Sequence, residues 1–492
     1  MKRPPFRKVA VYGSGLIVAL GLVTEGAVLF EGYRAQRAWE KHSRGAEARG
    51  VSFGLEKFTP PLIPDTENFA ATALFENLFS GDEEARKKSG EALGERLSLR
   101  PSKEKATQPK GSWKTCEKLD LTGWSEYLGE PDVLTALRKF EPEIAEITKA
   151  AQRPDVRFPS DYSKGSMMNL PHLTSIIHLA NILRLRSVAE LAQGRADRAL
   201  ADIDLIYRLG EYTTKKDALA ITALVHLSVM AIGVQPVWEG LAMHQWSEDQ
   251  LRRLQERLQG SDPLAMSRRA FERERVACVI GSKAFLEDRV TFEFLFPRPW
   301  WGILWPPNIR AVRYQNQLLT DRMFEAYLLP MIDVEARRVH PEKGDRLPEL
   351  TAKYASWFPL YRMFSGPVVP ALGQVVGRTA EGQTLRDQAL IGCALERFRL
   401  TQGNFPATLD ALVPRYLAEV PHDVLTGEPL KYRLTDNGGY LLYSPGINGT
   451  DEGGIVATDD NGRPDAKQGD WVWKMPGANA APVIDSAASA AP

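Results

Sequence analysis

The stretch YSPGINGTDEGG, Tyr443–Gly454, sets Asn448, Asp451 and Glu452 among Gly446, Gly449, Gly453 and Gly454. Two further acids follow in TDDNGRPDAKQGD, Asp459 and Asp460, and Asp470 stands directly before the run WVWKM. Calcium takes roughly 6 to 8 hard oxygens from carboxylates and carbonyls. Glycines let the backbone turn its carbonyls inward. Asn448, Asp451, Glu452 and Asp470 are therefore the candidate ligands of a calcium ion, and the alternative is a polar turn that holds no ion.

Other chemistry is thinly represented. The sequence contains no GxSxG, HExxH, Walker-type glycine loop or strand-linked GxGxxG. Its seven histidines are scattered, and the spacing of His172 and His178 does not bring them onto one helical face. Glu272 and Glu274 sit among arginines in RRAFERERV, a pattern expected of a solvated helical face. Cys116, Cys278 and Cys393 form no CxxC, so zinc-knuckle and thioredoxin-like motifs are excluded, while one disulfide stays open. Lys+Arg and Asp+Glu both total 62, which gives no electrostatic case for nucleic acid as a partner.

The elements around the acid–glycine loop read clearly. Thr384 and Asp387 have capping-box spacing, and Ile391, Leu395 and Phe398 form the stripe of a helix ended by Gly403. FPATLDALVPRYL reads as a short second helix. PLKYRLTDNGGYLLYS reads as a hairpin in which Asn437 and Gly438 supply positive φ, and DWVWKM as a last strand.

This order of helix, aromatic–proline turn, LDALVPRYLAEVPHD, TGEPLKY, hairpin and SPGINGTDEGG resembles the globular head of type II secretion major pseudopilins over Gln383 to Trp473. The resemblance implies a head in which one long helix packs on a small antiparallel sheet, with calcium bound in the loop after the hairpin. It matches Asp470 to the acid that precedes the family's last strand. Asn448 departs from the aspartate usual there and lowers the ligand charge. A second departure is that the chain's one clear leader-like segment lies at its opposite end, which is incompatible with the usual helical stacking into a pilus.

That segment, MKRPPFRKVAVYGSGLIVALGLVTEGAVLF, places Lys2, Arg3, Arg7 and Lys8 before an apolar run about as long as the ~20 residues a membrane-crossing helix needs. A basic tail over 1–8 kept in the cytoplasm and an uncleaved anchor over 9–30 put the remainder outside it, at the inner membrane of a bacterial-type cell. A cleaved signal peptide fits less well, because no small-x-small site follows Phe30.

Beyond the anchor, 31–120 reads as an extended or linker region with short helices, including a solvated SLRPSKEKATQPKGS. Residues 121–366 read as a helical domain. Within it Asn181–Tyr212 forms an antiparallel hairpin turning at Gly194, with Asp197 starting the second helix and Ala189, Ala192, Ala196 and Ala199 at a close interface. Ala218–Leu241, interrupted at Gly233 and Pro236, reads as a buried core helix enclosing a satisfied His226 rather than as a second span. The aromatic run over 291–308 either anchors at a membrane or partner surface or plugs the bundle. The tail over 474–492 is Ala/Pro-rich and expected to be disordered.

The expected fold is thus mainly α: an N-terminal transmembrane helix, a helical bundle or hairpin domain, and a small C-terminal α+β head over 383–473 with an antiparallel sheet. The expected function is that of a membrane-anchored extracytoplasmic scaffold whose partners are envelope proteins, linked to secretion or envelope assembly. The competing expectation is an envelope enzyme with its site in a cleft of the helical domain, for which a deep polar pocket would speak; a shallow aromatic groove would speak for binding.

Overall fold

A computed structural model describes residues 6–101, 108–109, 111–287, 301–353, 361, 365–459 and 464–476. The expectations for 1–5, for 102–107 and 110 of the linker, for 291–300 of the aromatic run, for Asp460 and for 477–492 of the tail lie outside the described residues. The fold is mainly helical, with small antiparallel sheets confined to the C-terminal part of the chain.

Helix α1 runs from Phe6 to Glu47, so the boundary expected at residue 30 falls inside one continuous helix. Trp39 of α1 is buried with Val279 and Leu318, which explains why the helix continues beyond its apolar half. Short helices α2 (Leu55–Phe58) and α3 (Ala73–Glu76) lead to α4 (Glu83–Arg96), whose N-cap Asp82 accepts a hydrogen bond from the Ala85 amide. Helices α5 (Leu121–Leu128), α6 (Val133–Leu137) and α7 (Glu141–Ala150) then pack beneath α8 (His172–Ala192).

The hairpin forms as expected: α8 turns at Gly194, φ +72°, into α9 (Ala196–Thr214). Ala189 and Ala199 are buried, and the Ser187 hydroxyl donates to the Ala199 carbonyl at 2.9 Å. Ala192 is exposed and takes no part in the interface.

Helix α10 (Ala220–Ala242) runs unbroken through Gly233 and Pro236, contrary to the expected interruption. A Cβ on Gly233 would lie 3.1 Å from both Ile206 and Tyr207, so its glycine serves close packing against α9 and does not end the helix. Among the described residues α10 is the one helix long and apolar enough to cross a membrane, and it is mostly buried in the protein. His226 is buried within it, 3.2 Å from the Thr214 hydroxyl, and burial lowers its pKa to about 4.

Helices α11 (Glu248–Gln259), α12 (Pro263–Glu287), α13 (Trp301–Met323) and α14 (Leu347–Lys353) complete the bundle, with a minimal ladder of β1 (Ile332–Asp333) and β2 (Arg338–Val339). Glu272 lies on the surface as expected, paired with Arg268 at 2.9 Å. Glu274 does not: it is buried, and accepts the Ala220 amide at 3.0 Å at the start of α10. A carboxyl at that position satisfies an amide that the helix itself leaves unpaired.

Helix α15 spans Ser365–Gln402 and corrects two expectations. Thr384 and Asp387 are buried in mid-helix and cap nothing. Both the end of the expected helical domain at 366 and the start of the expected head at 383 fall inside this one element. Val369, Leu372, Val375, Val376 and Ala380 bury one stripe against α12, α13 and the β1–β2 region, so packing outweighs the helix-weakening Pro370, Gly373 and Gly377.

After α15 the segment expected as a second helix makes only one 3₁₀ turn, Leu409–Leu412. Strands β3 (Lys431–Leu434), β4 (Tyr440–Ser444) and β7 (Trp471–Met475) form an antiparallel sheet in the order β3-β4-β7. Lys431 pairs with Tyr443 across β3 and β4, and Leu442 pairs with Trp473 across β4 and β7. Only Gly438 has positive φ in the β3–β4 turn; Asn437 does not. Its side chain instead accepts from Thr435 at 2.6 Å, while the Gly438 amide donates to the Thr435 carbonyl at 2.9 Å. A five-residue loop with one left-handed glycine replaces the two-residue turn.

Tyr440, Leu442 and Trp473 face α15 and share a single core with Leu200, Tyr207, Trp238 and Leu251 of the bundle. The Trp238 indole donates to the Lys474 carbonyl at 3.1 Å across that core. A two-stranded ribbon, β5 (Val456–Thr458) with β6 (Pro464–Gly469), lies beside the sheet.

Candidate functional site

The acid–glycine loop connects β4 to β5 and is organised by Asp470, the residue before β7. Its Oδ2 accepts the amides of Gly454 at 2.6 Å and Ile455 at 3.3 Å, and its Oδ1 that of Glu452 at 3.4 Å. The Asp470 amide returns a hydrogen bond to the Ile455 carbonyl at 2.9 Å. Gly446 is obligatory here: its φ is +72° and a Cβ would stand 2.7 Å from the Gly469 carbonyl oxygen. Ile447 seats the loop against Gly377 of α15, where a Cβ would lie 3.2 Å away.

Burial raises the pKa of Asp470, and the adjoining Glu452 carboxyl raises it further against the three amides that lower it. One Glu452 oxygen, Oε2, is buried without a partner; the other accepts from Asn448 Nδ2 at 3.0 Å. Asn448, Glu452 and Asp470 are thus linked in a row. Two adjacent carboxyls and an orphaned oxygen are a donor set that a cation would relieve.

Asp451 turns the other way. Its Oδ1 accepts from the Tyr443 hydroxyl at 3.1 Å and the Gly453 amide at 3.0 Å, so it is held outside that row. Asp459 is exposed beyond β5. Among the described residues, the one group of three acid, histidine or cysteine side chains close enough to share an ion is elsewhere, His42, Asp321 and Glu325. There Arg275 lies across both carboxylates, at 2.7 Å from Asp321 Oδ2 and from Glu325 Oε1, and His42 is 2.6 Å from Asp321. The guanidinium of Arg275, with that of Arg49 at 2.5 Å from Glu325 Oε1, already balances the two carboxylates that a metal would balance.

Sequence reasoning missed the groove beside the loop. Asp470, Trp471 and Val472, the β6 residues Asp465 and Ala466, and Leu385 and Gln388 of α15 line it, and Trp113 and Lys114 close its side. These two residues belong to a strap, Ser112–Leu119, laid over α10. Gln235 accepts the Trp113 amide, Glu239 accepts the Leu119 amide at 3.0 Å, and Gln235 donates to Glu239 at 2.7 Å. Lys114 reaches across to Glu381 of α15, which Arg378 also contacts at 2.7 Å. Burial would raise the Glu381 pKa, but Lys114 and then Arg378 outweigh it and hold the carboxylate ionised. Only the Arg378–Glu381 spacing is visible in the sequence; the strap meets α10 and α15 through contacts between distant parts of the chain.

All three cysteines are free, so the disulfide left open by the sequence does not form; Cys278 and Cys393 are buried apolar residues. Comparison with known proteins finds no matching family model, no matching curated protein and no matching solved structure.

Proposed function

We propose that this chain is a membrane-anchored, extracytoplasmic binding protein whose pseudopilin-like C-terminal region holds calcium in the loop after β4, and that it serves in secretion or envelope assembly without catalysing a reaction. The observation that carries the reading is the Glu452–Asp470 carboxyl pair, tied by three amides into a glycine loop between a hairpin and a last strand. The residues that would hold the ion are Glu452 and Asp470 with Asn448, while Asp451 shapes the loop through Tyr443. Bound calcium supplies positive charge that fixes the loop; no reacting group is required of it. Support for the anchor comes from Val23, Leu29 and Phe30 of α1, all exposed apolar side chains after a basic start. Support for binding over catalysis comes from the edge of the groove, where the Glu381 carboxylate is paired with both Lys114 and Arg378 and held ionised.

The test is the melting of the full chain in nanodiscs. Calcium is expected to raise the melting temperature over chelator by mass action, and magnesium, which demands a smaller octahedral shell, to do so weakly. Asp470→Ala should remove the calcium effect, whereas Asp451→Ala should keep most of it. Identical melting in calcium and chelator would reduce the loop to a solvated turn. A reporter fused after Pro492 is expected on the extracytoplasmic side, and its protection from protease in intact spheroplasts would reject the anchor's orientation.

A further inference from the structure

We propose that the cleft between α10 and α15 is a binding site for a single-chain anionic amphiphile, an acyl chain ending in a carboxylate. It adjoins the groove described above, shares Lys114, Glu381 and Leu385 with it, and does not depend on calcium. Helix α10 has a mean hydropathy of 1.7 over its most apolar window and is mostly buried there, yet Ser228 stays exposed and Leu224 and Ala231 only half-buried. Leu224, Ser228 and Ala231 on this side face Gly382 and Leu385 of α15 across a cavity of about 390 Å³. That lies within the roughly 300 to 1,000 Å³ usual for small-ligand sites.

The cavity has a closed base and a charged rim. At the base α10 and α15 touch, since a Cβ on Gly382 would lie only 2.6 Å from Leu227 Cδ2. At the rim Lys114 and Arg378 share the single carboxylate of Glu381, so one positive charge is left over. Arg378 gives one N–H to Glu381, and its side chain is 59% exposed, which leaves its remaining donors turned outward. The occupant follows from these two features. A peptide in an apolar cleft would bury amides and carbonyls without partners, at a cost an acyl chain does not incur. A carboxylate at the rim meets the surplus guanidinium in a charge-assisted hydrogen bond.

The experiment uses full-length protein in nanodiscs and a decanoate carrying a photoreactive diazirine on its chain, with labelled peptides mapped by mass spectrometry. Labelling is expected within Leu224–Ala231 and Arg378–Leu385, and decanoate should compete about tenfold better than decanol, as one charge-assisted hydrogen bond implies. Ser228→Trp, which fills the cleft from an exposed position, should abolish this labelling. Arg378→Gln, also exposed, should equalise the two competitors. Labelling confined to α1, or unchanged in Ser228→Trp, would overturn the site. Equal competition by decanoate and decanol in the unaltered protein would overturn the carboxylate.

Discussion

Glu239 shows how a single buried side chain makes the protein sensitive to pH. Burial lifts its carboxyl from the ordinary 4.5 to about 7, and the hydrogen bonds from Gln235 and Leu119 offset only part of that rise. A carboxyl raised on folding contributes stability that is complete below its unfolded value and lost as pH rises through about 7. The loss corresponds to about 3 kcal/mol. Glu239→Gln removes the ionisation and keeps an acceptor for the Leu119 amide. The variant is therefore expected to gain melting temperature over the parent at pH about 8 and to lose that advantage at pH about 5; parallel curves across this range would show that Glu239 does not titrate in the folded protein. Nothing in the sequence marked this residue. Glu239 meets Leu119 across a long chain separation, and its own neighbours, VWEGL, read simply as the end of an apolar helix.

At the scale of elements, local signals were legible where the chain's own geometry decides the outcome. Gly194 ended α8 and turned the chain into α9, and the β4 and β7 strands formed where alternation and the preceding Asp470 placed them. Signals failed where packing overruled them. The helical domain is expected to end at 366, yet α15 passes through Gly366 and Pro370 because Val369, Val375 and Val376 bury a stripe. Thr384 and Asp387 mimicked a capping box because buried polar residues of α15 happen to share its spacing; Asp387 is in fact hydrogen-bonded by Gln383 at 2.9 Å and Arg386 at 2.5 Å, and Arg386 also caps the Leu258 carbonyl at the end of α11. Of the four candidate ligands, three were brought together and Asp451 was not, because Tyr443 captures it from the neighbouring strand. The α8–α9 interface offers a direct check. Ala199→Phe should cost about 1 to 3 kcal/mol through overpacking against Ser187, measured as a lower denaturation midpoint. An unchanged midpoint would mean that the two helices do not meet there.

For the whole molecule, the shared core implies that the C-terminal sheet and the bundle unfold together. Tyr440 and Trp473 are buried in the same core as α15 and as Leu200, Tyr207, Trp238 and Leu251 of the bundle, and α15 is itself packed on α10, α11 and α12. Scanning calorimetry of the full chain should show the signals of both regions lost in one transition, and a fragment cut at Gly382 should be unfolded on its own. Two separated transitions would show that the sheet is an autonomous unit.

The continuity of α1 has a consequence for reach. If its first half lies in the bilayer, the stretch from residue 31 to 47 rises about 25 Å as rigid helix, and Trp39 and His42 lock that stretch onto α12 and α13 without a flexible joint. A tethered domain on a loose linker sweeps a volume and meets partners at many heights and angles. This body would be held at one height and one orientation, like a fixture and not a lure, so that only partners presented at that level above the membrane could engage it.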